Sequence, residues 1–98
     1  MAVKYKLIAG MATMPSRQST VARALNSVAH QFDQLYLVLN GFDEIPRWAK
    51  LDKVTPIIPP KGTDYGAAGK LLGLKEIDAN SDTLYFCIDD DILYPNNF

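Results

Sequence analysis

Apolar residues along this chain fall into two alternating arrangements: short continuous runs, and sets spaced at helical intervals. Leu7, Ile8 and Ala9 form the first continuous run. It predicts a strand from Lys4 to Met11 that is covered on both faces. The segment Ala12-Thr13-Met14-Pro15-Ser16 interrupts this run, with Pro15 favouring a loop or the first turn of a helix and Ser16 the expected N-cap. From Arg17 to Gln31, the residues Val21, Leu25, Val28 and Phe32 recur every three or four positions. That spacing predicts one apolar face of a helix packed on a sheet.

A second strand is predicted over Gln34 to Leu39, rich in Leu, Val and Tyr and closed by the turn dipeptide Asn40-Gly41. Asp43 to Lys50 reads as a loop with at most a short helical turn. Val54 to Ile58 predicts a third strand; Pro56 inside it and Pro59-Pro60 after it place it at a sheet edge. A second helix is expected from Tyr65 or Gly66 to Asp78, with Ala68, Leu71, Leu72 and Ile77 as its apolar set, and a last strand from Thr83 to Ile88.

Strands alternating with helices predict an α/β fold with a mainly parallel open sheet and flanking helices. Right-handed connections leave few topologies. With the first strand central, the order is 3-2-1-4, and the chain reverses direction across the sheet between strands 1 and 4. Ligands in open α/β sheets bind at the carboxyl ends of the strands beside such a reversal. Both the loop Ala12 to Arg17 and the run Asp89-Asp90-Asp91 fall there.

Composition changes this picture little. The chain has 98 residues, 48% hydrophobic and 21% charged, with a net charge of −1. This bounds it to one domain and argues against disorder, a disulfide scaffold, nucleic acid or an anionic membrane as partner. No run is long enough for a transmembrane segment or a signal peptide, which makes the cytoplasm the expected location. The one cysteine, Cys87, lies in the apolar run Leu84-Tyr85-Phe86-Cys87-Ile88, where a buried, inert thiol is expected. Charge distribution is more informative than net charge. No cation follows Lys75, whereas Glu76, Asp78, Asp82, Asp89, Asp90 and Asp91 all do.

The acidic triplet is the sharpest chemical feature. Three adjacent carboxylates repel one another, and strand alternation puts Asp89 and Asp91 on one side and Asp90 on the other. Two carboxylates on one side suit Mg²⁺ or Mn²⁺ that keeps waters and takes substrate phosphates; a solvated acidic turn is the plain alternative. Thr13, Pro15 and Arg17 stand where a loop entering a helix offers free N–H groups to an anion or a base, Arg17 adding a charge-assisted contact, unless they form an ordinary helix cap. Gly66, Gly69 and Gly73 share one face of the expected α-helix, consistent with close packing on the sheet or a ligand. Lys70 among them either reaches a diphosphate or is a solubilising surface charge. His30 is read as a helix C-terminal cation. Trp48 and Tyr94 are candidates for packing or for stacking on a ligand.

Four segments together resemble the N-terminal, nucleotide-sugar-binding half of a GT-A fold glycosyltransferase of the family 2 type. They are Ile8 to Arg17, Leu35 to Asn40, Asp64 to Lys70 and Tyr85 to Pro95, in the family's order and spanning almost the whole chain. The resemblance implies a Rossmann-like half-domain that binds a nucleoside diphosphate sugar for transfer to an unknown acceptor. It assigns nucleobase and ribose contacts to Ala12, Thr13, Pro15 and Arg17. A D-x-D metal site for Mn²⁺ or Mg²⁺ falls to Asp89 and Asp91, with Asp89 and Asp90 also among the nucleotide-contacting residues. Lys70 lies about where the family carries an Arg that contacts the donor phosphate or sugar.

Family members continue well beyond the D-x-D motif, so residues 1–98 read as a single half-domain truncated at its C-terminus, expected to be inactive alone and to self-associate through an exposed sheet edge. A non-catalytic nucleotide- or metal-binding module, an inactive remnant or a subunit completed by another chain, is the competing reading. Two others lack their signatures. A nucleotidyltransferase needs a Gly-rich loop after strand 1, and a phosphoacceptor receiver domain needs acids there, whereas this strand ends in Gly10-Met11-Ala12-Thr13.

Overall fold

The structure, a computed structural model, describes residues 5–76 and 82–91. The start of the first strand at Lys4, the helix end at Ile77 and Asp78, and Tyr94 lie outside the described residues. Four strands form one all-parallel open sheet: β1 (Lys6–Thr13), β2 (Gln34–Leu39), β3 (Val54–Ile57) and β4 (Thr83–Cys87), in the order β3-β2-β1-β4. This is the predicted order, with β1 central and Ala9 facing Leu35 on one side and Phe86 on the other. β3 is an edge strand, which lets Pro56 stand opposite Leu37 without leaving an inner ladder short of a donor.

The sheet is Rossmann-like, and helix α1 (Gln18–Val28) packs on one of its faces. Val21, Leu25, Val28 and Phe32 are all buried there, against Ala9, Met11, Leu35, Leu37 and Leu39. The predicted stripe is therefore the core. Phe32 lies beyond the α-helix, after a short 3-10 turn over Ala29–Gln31 that holds an exposed His30, and its ring meets Phe86 of β4 at 5.5 Å. Trp48 packs edge-on against Phe42 at 6.1 Å and donates its indole N–H to Gln18, so its role is structural.

Three local expectations are corrected. β1 runs two residues further than predicted, to Thr13, because Ala12 and Thr13 continue the ladder opposite Val38 and Leu39. Ser16 is not an N-cap; Pro15 opens a 3-10 turn over Pro15–Arg17 that takes Ser16 into its middle, and α1 starts after Arg17 with no side-chain cap. Cys87 is exposed rather than buried. It sits on the outer strand β4, while the second helical segment lies mainly over β1.

That second segment is a 3-10 helix over Gly66–Glu76, on the sheet face opposite α1. A 3-10 helix repeats every three residues, which rearranges the expected faces. Gly69 is buried and Leu72 half-buried on the inward line, whereas Ala68 and Leu71 are exposed. The four-residue step from Gly69 to Gly73 fits an α-helical stripe and not a three-residue repeat.

Candidate functional site

Six residues singled out from the sequence line one cleft of about 130 Å³ at the carboxyl ends of β1 and β4: Ala12, Thr13, Arg17, Lys70, Asp89 and Asp90. They come from three parts of the chain. β1 supplies Ala12 and Thr13 and delivers Arg17 just beyond its end; the 3-10 helix supplies Lys70; the segment after β4 supplies the carboxylates. This is where the chain reverses direction across the sheet, the expected place for a ligand in an open parallel sheet.

β4 ends at Cys87, and the segment after it turns at Asp90 and Asp91, sending neighbouring carboxylates to different partners. Asp89 faces Lys70 of the 3-10 helix, Oδ1 to Nζ at 3.7 Å. Asp90 turns to Arg17, which donates from Nη1 to its Oδ1 at 2.8 Å. Asp90 is only 4% exposed, and its Oδ2 has no hydrogen-bond partner among the described residues. The hydroxyl of Thr13, equally buried, is also unpartnered among the described residues. Two unsatisfied polar atoms in a small cleft are costly to keep, and each has spare capacity for a ligand.

Two expected residues are not brought in. Pro15 is exposed and lies outside the cleft lining, beside Gly41. Asp91 is exposed and likewise outside the lining. Asp89 thus borders the cleft beside Lys70 and Asp91 lies outside it, with Asp90 between them tied back to Arg17. Among the described residues no three His, Cys, Asp or Glu side chains gather around a point. A hard divalent cation that keeps waters and borrows phosphate oxygens uses one or two carboxylates rather than a cage, and this donor set fits a cation held that way.

The cleft also holds residues that sequence reasoning did not assign to it: Met14, Asn40, Gly66 and Ile88. Asn40 is the informative one. It reads in sequence as half of a turn dipeptide, but it is buried, and its side chain bonds the backbone 25 residues away. Oδ1 accepts from the N–H of Tyr65 at 3.0 Å, Nδ2 donates to the carbonyl of Gly66 at 3.2 Å, and its own N–H donates to the carbonyl of Thr13 at 3.0 Å. Asn40 therefore fixes the start of the 3-10 helix against the end of β1. Gly66 there has φ +57°, with its N–H bonded to the Asp64 carboxylate at 2.7 Å, a left-handed turn suited to glycine. The sequence signal was an amide side chain at the carboxyl end of an inner strand, where a buried polar group needs partners.

Gly10 and Gly69 let the 3-10 helix sit this close. A Cβ on Gly10 would run into the backbone carbonyl of Lys70 and the hydroxyl of Tyr85. One on Gly69 would press against the Val38 side chain at 3.0 Å.

A scan of protein-family models and a search of curated proteins find no match to this chain. Fold and site together define a small α/β domain with a Rossmann-like parallel sheet and a charged cleft at its topological switch point. No helix among the described residues is long and apolar enough to cross a membrane.

Proposed function

We propose that the cleft binds a nucleoside diphosphate sugar and is the donor site of a metal-dependent glycosyltransferase. The observation that carries this reading is the convergence of Thr13, Arg17, Lys70, Asp89 and Asp90 on one cleft from three separate segments. Each residue type has a part in holding such a ligand. Arg17 and Lys70 are cations for the diphosphate, Arg17 through paired N–H groups and Lys70 as a point charge. Thr13 and the backbone entering the turn Pro15–Arg17 supply hydrogen bonds to the base and ribose. Asp89 and Asp91 would hold Mg²⁺ or Mn²⁺, which supplies charge neutralisation on the leaving diphosphate.

Catalysis on this reading is electrostatic. A glycosyl bond to a diphosphate breaks with negative charge gathering on the departing phosphate oxygens, and fixed cations aimed at those oxygens stabilise that charge more than they stabilise the bound donor. Titration calorimetry of the 98-residue chain with UDP and GDP, with and without Mn²⁺, tests the proposal. Binding that requires Mn²⁺ supports it; absent binding, or binding indifferent to metal, overturns it.

A further inference from the structure

Both cations of the cleft are matched to carboxylates of the acidic triplet. Arg17 is paired with Asp90 at 2.8 Å, and Lys70 faces Asp89 at 3.7 Å. Each pair ties a segment that would receive an anion to the segment after β4, so the cleft is neutralised from within. The Arg17 pair is the closer and the more one-sided. Asp90 is buried, and Oδ1 takes the guanidinium while Oδ2 is unpartnered among the described residues. The Arg17 side chain, by contrast, is 51% exposed. A guanidinium presents its donors as a planar fork that phosphate oxygens fill two at a time. Through Oδ1 alone, Asp90 leaves much of that fork open towards solvent.

We propose that Asp90 masks Arg17: the buried carboxylate occupies Nη1 and offsets the guanidinium charge, and so competes with an anionic ligand for it. The proposal rests on reading the cleft as a diphosphate site, and it adds a regulation of that site. An anion that draws Arg17 to itself leaves the buried Asp90 with less countercharge, which opposes binding of an anion on its own. A cation arriving at the triplet with the anion removes that penalty. By linkage each then strengthens the other by the same factor, and the acidic triplet becomes the element that makes anion binding conditional on a cation.

If Asp90 instead served only to hold Arg17 in its binding pose, removing its charge would weaken anion binding. The two roles therefore differ in sign. Calorimetric titration of inorganic pyrophosphate into the 98-residue chain, with EDTA present, compares wild type, Asp90→Asn, Arg17→Ala and the double variant. Masking predicts that Asp90→Asn binds pyrophosphate more tightly than wild type by about tenfold, and that this gain disappears in the Arg17→Ala background. Equal or weaker binding by Asp90→Asn overturns it, as does a gain that survives without Arg17 or the absence of binding in all four proteins. Asp90→Ser makes the same comparison should the Asn variant lose its far-ultraviolet dichroism. Pyrophosphate binding with the predicted signs but no binding of UDP counts against the nucleotide reading and leaves the masking in place.

Discussion

The α-carbon of Gly10, in the central strand β1, lies directly against the backbone carbonyl of Lys70, with the Tyr85 hydroxyl bonded to that same carbonyl. This contact sets the distance between the sheet and the 3-10 helix, and with it the reach of the Lys70 side chain into the cleft. A methyl group at position 10 meets backbone rather than the flexible end of a side chain, so the helix must lift as a unit. Gly10→Ala is expected to destabilise the chain by about 3 kcal/mol, the upper part of the overpacking range. Urea denaturation checks the magnitude, and the same variant should lose UDP affinity through displaced Lys70.

Asn40 predicts a second loss of stability with a local signature. Its amide bonds Tyr65 and Gly66 and nothing else can replace both contacts at once. Asn40→Ala strands one donor and one acceptor of the backbone and should cost about 2 kcal/mol. Asn40→Asp offers no rescue, since a carboxylate accepts from the Tyr65 N–H but repels the Gly66 carbonyl. Faster hydrogen exchange at the Tyr65 amide, measured by NMR, separates this local opening from a general loss of stability.

Topology was legible in the sequence for a physical reason. Continuous apolar runs at Leu7 to Ala9 and Leu35 to Leu39 suit strands covered on both faces, and Pro56 suits an edge strand, where the sheet has it. The separation of Asp89 from Asp90 is expected from strand alternation, but β4 ends at Cys87 and a turn at Asp90 and Asp91 directs these carboxylates instead. What stayed hidden depends on partners far away in the chain. The Arg17–Asp90 pair spans 73 positions, and nothing local in either residue announces it. The 3-10 helix was hidden differently. Glycines at 66, 69 and 73 fit an α-helical stripe as well as any other pattern, and close contact of Lys70 with Gly10 is visible only once the sheet exists.

The threefold repeat of that helix yields a test by mutation. An α-helix would have buried Leu71 with Leu72; here Leu71 is 46% exposed and Leu25 of α1 is fully buried. Leu71→Ala should therefore change stability by less than about 0.5 kcal/mol, whereas Leu25→Ala should cost about 3 kcal/mol through lost burial and a residual cavity. Chemical denaturation of both variants decides it. A cost at Leu71 comparable to that at Leu25 would place the side chain inward and rule out the 3-10 arrangement.

Thr13 sets stability against binding. Its hydroxyl is buried in the cleft with no partner among the described residues, although the site reading gives it a ligand group to bond. In the ligand-free chain the hydroxyl contributes a desolvation cost and no hydrogen bond to offset it. Thr13→Val keeps the branched shape that packs in β1 and removes the unsatisfied group. The variant is expected to be more stable than wild type by about 1 kcal/mol in thermal or urea unfolding. In the presence of Mn²⁺ its affinity for UDP should fall by about tenfold, the worth of one lost hydrogen bond to the ligand. Inorganic pyrophosphate, which lacks base and ribose, should bind the variant and wild type alike. Stabilisation with unchanged UDP affinity would make Thr13 a neutral wall of the cleft, and loss of pyrophosphate affinity would mean that the substitution had moved Arg17 instead.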